Sequence, residues 1–241
     1  MANRQHNRGP HPEDIDLFSH QHFASLQLAT ADLSWLLSRG YASPSSLKLV
    51  GDRFALVSRP RTAVLRSACS DRALERRNSR AVTPRQLRGS ELEIDALNLL
   101  ITIEAALSGG VVLVGRDGAY RDMASIHGSY RQVNQTRQAI EMAGQFLRQH
   151  GAGQVLWRID RPVSNSGRLS EMISRHASEL DLPWQTRLDD DPDQVLGTEH
   201  PLVVSADAVV LDRVELWANL ARWVVEQEIR GAWIVPMSNE Q

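Results

Sequence analysis

Residues 91–241 alternate short apolar runs with amphipathic stretches, and this alternation restricts the fold more than any other feature of the chain. The runs have the length of strands and lie at residues 111–115, 155–159, 202–204 and 232–235, with a weaker one at 184–188. A further strand, which ends near Asp95, is predicted from the alternation of Leu92, Ile94 and Leu97 with other residues. Parallel strands need crossover connections, which are usually helices that cover the sheet. The alternation therefore predicts an α/β domain over residues 91–241, with a mainly parallel sheet and helices on both faces.

Helical periodicity fills most of the gaps between these strands. It predicts helices over residues 99–107, 136–147 and 167–180, and one long helix that includes Leu216, Trp217, Leu220 and Trp223. Residues 116–130 have too little apolar periodicity for a core element, and residues 189–193 contain four aspartates. We expect both of these polar segments to be loops.

The N-terminal third of the chain has a different organisation. Residues 1–29 are rich in His, Asn, Pro and Arg without periodicity, which predicts a flexible tail. Residues 30–80 are predicted to form a small basic domain of three short helices, similar to a helix-turn-helix bundle. Residues 81–90, with Thr83-Pro84 and Gly89-Ser90, are typical of a linker.

The net charge of −2 conceals an asymmetry between the two parts. Residues 1–90 carry 14 basic and 7 acidic side chains, whereas residues 91–241 carry 13 basic and 22 acidic ones. The segment from Arg53 to Arg88 contains ten arginines, which include Arg61 and Arg66, and only two acids. This arginine stripe favours contact with a phosphate backbone, because neutralised phosphates release counterions. A helix face docked on the acidic second domain explains the same stripe, and both interpretations stay open.

Several classes of protein are disfavoured by what the chain lacks. It has no apolar run near the roughly 18 residues of a membrane span, and its opening lacks the apolar stretch of a signal peptide, so a cytoplasmic location is expected. The single cysteine, Cys69, excludes an intrachain disulfide. No GxGxxG follows a strand, and GxxxxGK[ST], HExxH and CxxC do not occur, which disfavours dinucleotide, P-loop and zinc sites.

Aspartates stand at the predicted carboxyl ends of four strands, where ligands bind in parallel α/β sheets. They are Asp95, Asp117, Asp160 and Asp207. Carboxylates that meet repel one another unless a cation neutralises them, and oxygen donors suit Mg²⁺ or Mn²⁺. Helix N-capping is the alternative for Asp95 and Asp207, since each precedes a helical stretch. Asn98 is predicted on the first helical turn, facing the same crevice.

Two further stretches contain more polar residues than a simple connection requires. The segment GRDGAYRDMASIHGSYRQVNQT places Asp122, His127 and Arg131 near the crevice, with Asp122 a competing metal ligand. The segment DRPVSNSGRL places Ser164, Asn165 and Ser166 before a helix, where hydroxyls and backbone N–H groups bind anions. Helix capping explains the second segment equally well.

These motifs carry a resemblance to known families. LLSRGYASPSSLKLVGDRFALVSRPRTAVLRSA resembles the prokaryotic family catalogued as domain of unknown function 434 (DUF434). The segments EIDALNLLITIEAAL, RDGAYRDMASIHGSYR, DRPVSNSGRL and VVSADAVVLD resemble its partner domain, DUF5616. More distantly, Asp95 with Asn98, and Ser205 with Asp207, are similar to motifs of the PIN-like nuclease superfamily and its NYN branch.

The PIN-like resemblance implies a PIN-like fold and an Mg²⁺- or Mn²⁺-dependent ribonuclease. Asp95, Asp160 and Asp207 would then be metal ligands, with Ser205 beside the substrate. Our first hypothesis is a metal-dependent nuclease that acts on RNA in preference to DNA.

The alternative is a non-catalytic module that binds nucleic acid, with a possible homo-oligomer in either case. A phosphotransfer enzyme that uses the turn at residues 164–167 ranks third.

Overall fold

The computed structural model describes residues 8–124 and 133–239 of the chain. Its N-terminal part is helical, as predicted. The helices are α1 Asp14–Leu17, α2 Phe23–Ser38, α3 Ser43–Arg53, α4 Ser58–Ser67 and α5 Asp71–Arg80.

Strands and helices alternate after residue 90, which confirms the predicted α/β class. The strands are β1 Leu92–Asp95, β2 Val111–Val114, β3 Tyr120–Asp122, β4 Val155–Asp160, β5 Trp184–Asp189, β6 Leu202–Val204, β7 Leu216–Ala218 and β8 Trp233–Pro236. The helices are α6 Ala96–Leu107, α7 Thr136–Gln149, α8 Ser166–Glu179, α9 Pro192–Val195, α10 Ala208–Arg213 and α11 Leu220–Glu228. No helix in the described part of the chain has the length and apolar character needed to cross a membrane.

The larger sheet has five parallel strands in the order β5-β4-β1-β6-β7. Strand β1 lies at its centre, where Leu92 pairs with Val155 of β4 on one side and with Leu202 of β6 on the other. All four residues of β1 are buried, because helices flank the sheet. A parallel sheet places the ends of β1, β4 and β6 at one edge, which is where the acids were predicted to meet.

A second sheet has three strands in the order β3-β2-β8. Strands β2 and β8 are parallel, and β3 is antiparallel to β2. Helix α6 contacts β1 and β4 of the first sheet and β2 and β3 of the second. Ten of its twelve residues are buried, because its sequence is apolar on nearly every side.

The helical front, residues 14–80, packs directly on the smaller sheet. One apolar cluster joins Phe18, Leu26 and Leu33 of the front to Leu113 of β2 and Val235 of β8. The front and the α/β part therefore share a core, which differs from a basic domain joined by a linker. A similarity of this front to helix-turn-helix bundles stays a prediction.

The predicted tail over residues 1–29 differs from the structure over residues 8–29, where Arg8 already forms an ion pair with the buried Glu104. Helix α1 and the first turns of α2 lie within it, and the side chain of Phe18 is fully buried. The carboxylate of Asp14 accepts hydrogen bonds of 2.7 and 2.8 Å from Arg59 of α4. Burial of a few large side chains holds this segment, and a search for periodicity does not detect such isolated anchors.

The predicted linker over residues 81–90 is also packed. Ala81 forms a parallel bridge with Trp217, and Leu87 is fully buried. A capping box between Thr83 and Gln86 stabilises the N-terminus of the short 3-10 helix Pro84–Leu87.

Three other segments differ from the sequence predictions. Residues 120–122 form the buried strand β3, within the stretch predicted to lack a core element. The predicted acidic loop over residues 189–193 overlaps the end of β5 and the start of the short helix α9. The predicted long helix around Leu216–Trp223 is instead strand β7 followed by α11. Pairing of β7 with β6 and burial of the Trp217 indole outweigh the local helical periodicity there.

Candidate functional site

A cleft of about 380 Å³ lies beyond the carboxyl ends of β1, β4 and β6. Five carboxylates line it, from Asp95, Asp122, Asp160, Asp193 and Asp207. Two guanidinium groups, of Arg66 and Arg121, and an apolar wall of Leu65, Leu97, Ile101 and Val163 complete it. The structure thus brings three of the four predicted strand-end acids to one cleft.

Asp95 ends β1 and forms the N-cap of α6. Its Oδ1 accepts a hydrogen bond of 3.3 Å from the backbone N–H of Asn98, and its Oδ2 accepts one of 2.9 Å from the Ser205 hydroxyl. Only 6% of Asp95 is exposed. Burial raises the pKa of Asp95 to about 8, and the negative charges of Asp193 and Asp160 add to this rise, whereas the two hydrogen bonds oppose it.

Asn98 lines the cleft, but its side chain has a partner inside the protein. Its Oδ1 accepts a 2.8 Å hydrogen bond from the backbone N–H of Ala206. Asn98 therefore ties the segment after β6 to the first turn of α6. A role in orienting a water molecule or a phosphate, as expected from the sequence, stays a prediction.

The segment after β6 supplies the other side of the cleft. The hydroxyl of Ser205 donates to Asp95 and accepts a 3.1 Å hydrogen bond from the backbone N–H of Asp207. Oδ1 of Asp207 accepts from the N–H groups of Val209 and Val210, at 2.8 and 3.2 Å, and so caps α10. Ser205 was predicted beside the substrate, whereas in the structure it is buried and orients Asp95.

Asp160 ends β4 and is half-buried, and burial together with the charges of Asp191 and Asp189 raises its pKa. Asp193 lies on α9 with much of its surface exposed, and partial desolvation in the cleft, followed by the charges of Asp207, Asp160 and Asp191, raises its pKa to about 6. Sequence reasoning did not single out Asp193, because it is one of four aspartates in a predicted loop. The only local signal was Pro192, which starts a helical turn directly before it.

The cleft therefore concentrates negative charge that is only partly neutralised by the protein. Its donors are carboxylate oxygens, the chemistry that Mg²⁺ and Mn²⁺ prefer, so the residues present fit a divalent cation. Within residues 8–124 and 133–239, however, no three His, Cys, Asp or Glu side chains have the spacing of a metal site. In this structure the carboxylates of the cleft are therefore not gathered as closely as the ligands of a bound ion.

Asp122 and Arg66 lie at another side of the cleft. The Asp122 carboxylate accepts hydrogen bonds from the backbone N–H of Ala124 at 2.6 Å and from the Thr102 hydroxyl at 3.3 Å. Burial raises the pKa of Asp122, although the charge of Arg66 opposes the shift. Arg66 donates to the carbonyl groups of Asp122 and Ala124, at 2.6 and 2.8 Å. The helical front thus contributes a cation to the acidic cleft.

Asp117 does not line the cleft. Its buried carboxylate forms ion pairs with Arg77 at 2.7 Å and with Arg121 at 2.8 and 2.7 Å. Burial alone would raise the pKa of Asp117, but the charges and hydrogen bonds of Arg121 and Arg77 outweigh burial and lower the pKa to about 2. Asp117 was predicted as a metal ligand, but in the structure two protein cations occupy its oxygens and it lies outside the candidate cation site.

The remaining predicted substrate contacts lie elsewhere or outside the described residues. Arg61 donates to the carbonyl of Leu56 at 2.7 Å and to Asp52 at 2.8 Å, within the helical front. Residues 164–166 do not line the cleft, and the buried hydroxyl of Ser166 donates to the carbonyl of Arg161 at 3.3 Å. His127 and Arg131 lie outside the described residues.

Much of the arginine stripe makes ion pairs or hydrogen bonds within the chain. The partners are carboxylates or carbonyl groups for Arg53, Arg59, Arg61, Arg66, Arg76, Arg77 and Arg80. Arg66, Arg76, Arg77 and Arg80 have partners in the acidic α/β part, which include the carbonyl groups of Asp122 and Val214 and the carboxylates of Asp117 and Asp212. The stripe therefore contains the docked helix face that was one of its two interpretations.

Comparison with known proteins confirms the two families predicted from sequence motifs. A family model described as Protein of unknown function (DUF434) matches residues 25–80. The uncharacterized protein MJ0935 of Methanocaldococcus jannaschii is 24% identical over 187 residues, which cover 78% of this chain and 89% of that protein. No solved structure matches the chain significantly. A model described as Domain of unknown function (DUF5616) matches residues 84–223, more than half of the chain, and the chain therefore belongs to the DUF5616 family.

Proposed function

We propose that the chain is a divalent-cation-dependent nuclease that hydrolyses phosphodiester bonds of RNA at the cleft beyond β1, β4 and β6. One observation carries the proposal. Asp95, Asp160, Asp193 and Asp207 line one cleft, and burial together with mutual repulsion raises the pKa of Asp95 to about 8. A protein gains no stability from such a cluster, so the cluster suggests a ligand that offsets the charge.

A bound Mg²⁺ or Mn²⁺ would supply a Lewis acid that neutralises phosphate charge and lowers the pKa of a water molecule. The four carboxylates of Asp95, Asp160, Asp193 and Asp207 would hold it. The chain's own hydrogen bonds already fix two of these donors, since Ser205 orients Asp95 and the N-terminus of α10 orients Asp207.

The anionic substrate needs a cation of the protein near the same cleft. The side chain of Arg66 is 32% exposed there, and both of its terminal nitrogens donate to carbonyl groups that hold the guanidinium in place. A fixed guanidinium at the edge of the cleft suits one phosphate oxygen of a bound strand. The choice of RNA over DNA rests on the similarity of Asp95, Asn98, Ser205 and Asp207 to motifs of PIN-like nucleases.

The non-catalytic alternative relied on Arg61 and Arg66 as the contacts with nucleic acid. Of these two, only Arg66 lines the carboxylate cleft, whereas the guanidinium of Arg61 lies within the front on Asp52 and Leu56.

Cleavage of labelled single-stranded and structured RNA, with Mn²⁺, with Mg²⁺ and with EDTA, tests the proposal. Asp95→Asn and Asp207→Asn keep an oxygen that can cap the following helix, so both variants should fold while losing cleavage. Asp190→Asn is the matched control, because Asp190 belongs to the acidic run of residues 189–193, which supplies Asp193 to the cleft, but does not itself line the cleft. Equal cleavage by wild type and both cleft variants would place the activity elsewhere.

A further inference from the structure

We propose that Arg121 is a positioning residue for the carboxylate cleft, acting through the peptide groups of Ala206. The inference rests on the proposed function, since that function makes Asp95 and Asp207 the working carboxylates. Arg121 is 8% exposed and lies on β3, a strand of the smaller sheet. It would therefore link the second sheet to a site built at the edge of the first.

The backbone of Ala206 is held from two directions. Nε of Arg121 donates a 2.7 Å hydrogen bond to the carbonyl oxygen of Ala206, and the N–H of Ala206 donates to Oδ1 of Asn98 at 2.8 Å. Strand β6 ends at Val204, so pairing with neighbouring strands does not support this residue. The two side chains take the place of the missing strand partners.

The residues on each side of Ala206 are tied to the carboxylates of the cleft. Ser205 donates to the Asp95 carboxylate, and Asp207 caps α10 with a carboxylate that lines the cleft. A shift of the Ala206 peptide would move both of them together. Arg121 thus controls the geometry of two carboxylates by way of the backbone between them.

Arg121 is itself fixed by a buried chain of charges. Both of its terminal nitrogens donate to Asp117, and Asp117 accepts from Arg77 of α5 in the helical front. A Cβ atom at Gly115 would collide with the guanidinium of Arg121, so only glycine leaves room for this arrangement. Charge-assisted, bidentate hydrogen bonds hold the guanidinium plane in one orientation, which aims Nε at Ala206.

The same chain gives the helical front a part in the site. Arg77 also donates to Asp212 at 2.9 Å and to the carbonyl of Ala208 at 3.2 Å, so it holds the start and the end of α10. Arg77 belongs to the arginine stripe, for which phosphate binding was one of two interpretations. In the structure it instead holds α10, the helix that follows Asp207.

Hydrogen exchange of the Ala206 amide in metal-free protein, together with Mn²⁺ titration calorimetry, tests the inference. Arg121→Met removes the guanidinium, and Arg121→Lys keeps the charge beside Asp117 but cannot bond Asp117 and Ala206 with one planar group. We expect exchange of the Ala206 amide to become faster by about tenfold in both variants. Mn²⁺ binding should weaken about 10- to 100-fold, as for other residues that orient metal ligands.

Arg59→Lys is the matched control, because it replaces another guanidinium that binds a buried carboxylate, that of Asp14, at a place away from the cleft, and leaves the Arg121–Ala206 hydrogen bond in place. Exchange and Mn²⁺ affinity should match the wild type in this control. Wild-type exchange at Ala206 in folded Arg121→Lys overturns the positioning role. Wild-type protein that takes up no Mn²⁺ overturns the cation site of the proposed function, whereas the exchange data still decide whether Arg121 holds Ala206.

Discussion

Replacement of Asp95 by Asn should make the stability of the metal-free protein less sensitive to pH between 6 and 9. The pKa of Asp95 is raised from its ordinary value of 3.8 to about 8. Between these two values the folded protein keeps a proton that the unfolded chain has released. By linkage, the free energy of unfolding falls as pH rises through this window and levels off above the folded-state pKa.

The magnitude follows from the same pKa values. One retained proton costs about 1.4 kcal/mol per pH unit, so the rise from pH 6 to the pKa near 8 lowers the stability by about 2 to 3 kcal/mol. Asp193 acts with the same sign, but its pKa of about 6 places most of its effect below this range. The amide of the Asp95→Asn variant cannot lose a proton, and its oxygen can still accept from the N–H of Asn98.

Urea unfolding in EDTA at pH 6 and at pH 9 measures this effect. The difference in the free energy of unfolding between Asp95→Asn and wild type should grow by about 2 to 3 kcal/mol in favour of the variant at the higher pH. Taking the difference between the two free energies of unfolding cancels the contribution of groups that titrate equally in the variant and in the wild type. The same difference at both pH values would refute the reasoning, because it would mean that Asp95 ionises without a cost in the folded protein.

Two packing predictions test the corrected picture of the fold by urea unfolding. Phe18→Ala should lower the free energy of unfolding by about 3 to 5 kcal/mol, because Phe18 is fully buried in a segment that was predicted to be a tail; a loss below about 0.5 kcal/mol would support the tail. Gly144→Ala should lower the free energy of unfolding by about 1 to 3 kcal/mol, since its Cβ would lie 2.7 Å from the Trp184 ring. The control Gly167→Ala, where a Cβ would have nothing within 4 Å, should be neutral or stabilising. Equal effects of the two substitutions would contradict the contact at Gly144.

The central strands were predictable because burial on both faces leaves a clear mark on the sequence. Strands β2 and β6 are short apolar runs, β4 is mostly apolar, and in β1 the apolar Leu92 and Ile94 alternate with acids. Strand β7 was missed because it lies at the edge of the sheet, where Trp217 and its neighbours also fit a helical pattern. Strand β3 was missed because its three residues, Tyr120, Arg121 and Asp122, all carry polar groups and are buried through tertiary partners.

The site was predictable only as far as the topology alone decides it. The carboxyl ends of parallel strands meet at one edge, which brought Asp95, Asp160 and Asp207 together. Asp193 lies in the cleft because of the packing of α9, and in the sequence only Pro192, directly before it, distinguishes it from the other three aspartates of the acidic run. Asp117 is not one of the cleft carboxylates, because Arg77, 40 residues away in the sequence, binds it. Such a long-range ion pair cannot be inferred from one sequence.

Helix capping and catalysis were treated as competing explanations of Asp95 and Asp207, but the geometry of the fold allows one carboxylate to serve both. In a parallel α/β sheet, the turn that needs a capping oxygen is the turn that borders the ligand crevice. Capping alone lowers the pKa of a carboxylate, because backbone N–H groups favour the charged form. Asp95 caps α6 and yet has a pKa of about 8, whereas the paired Asp117 has one of about 2. Strand-end position and capping are common to many aspartates in such folds. The burial of Asp95 beside other carboxylates is what separates it from an ordinary cap and from a structural ion pair.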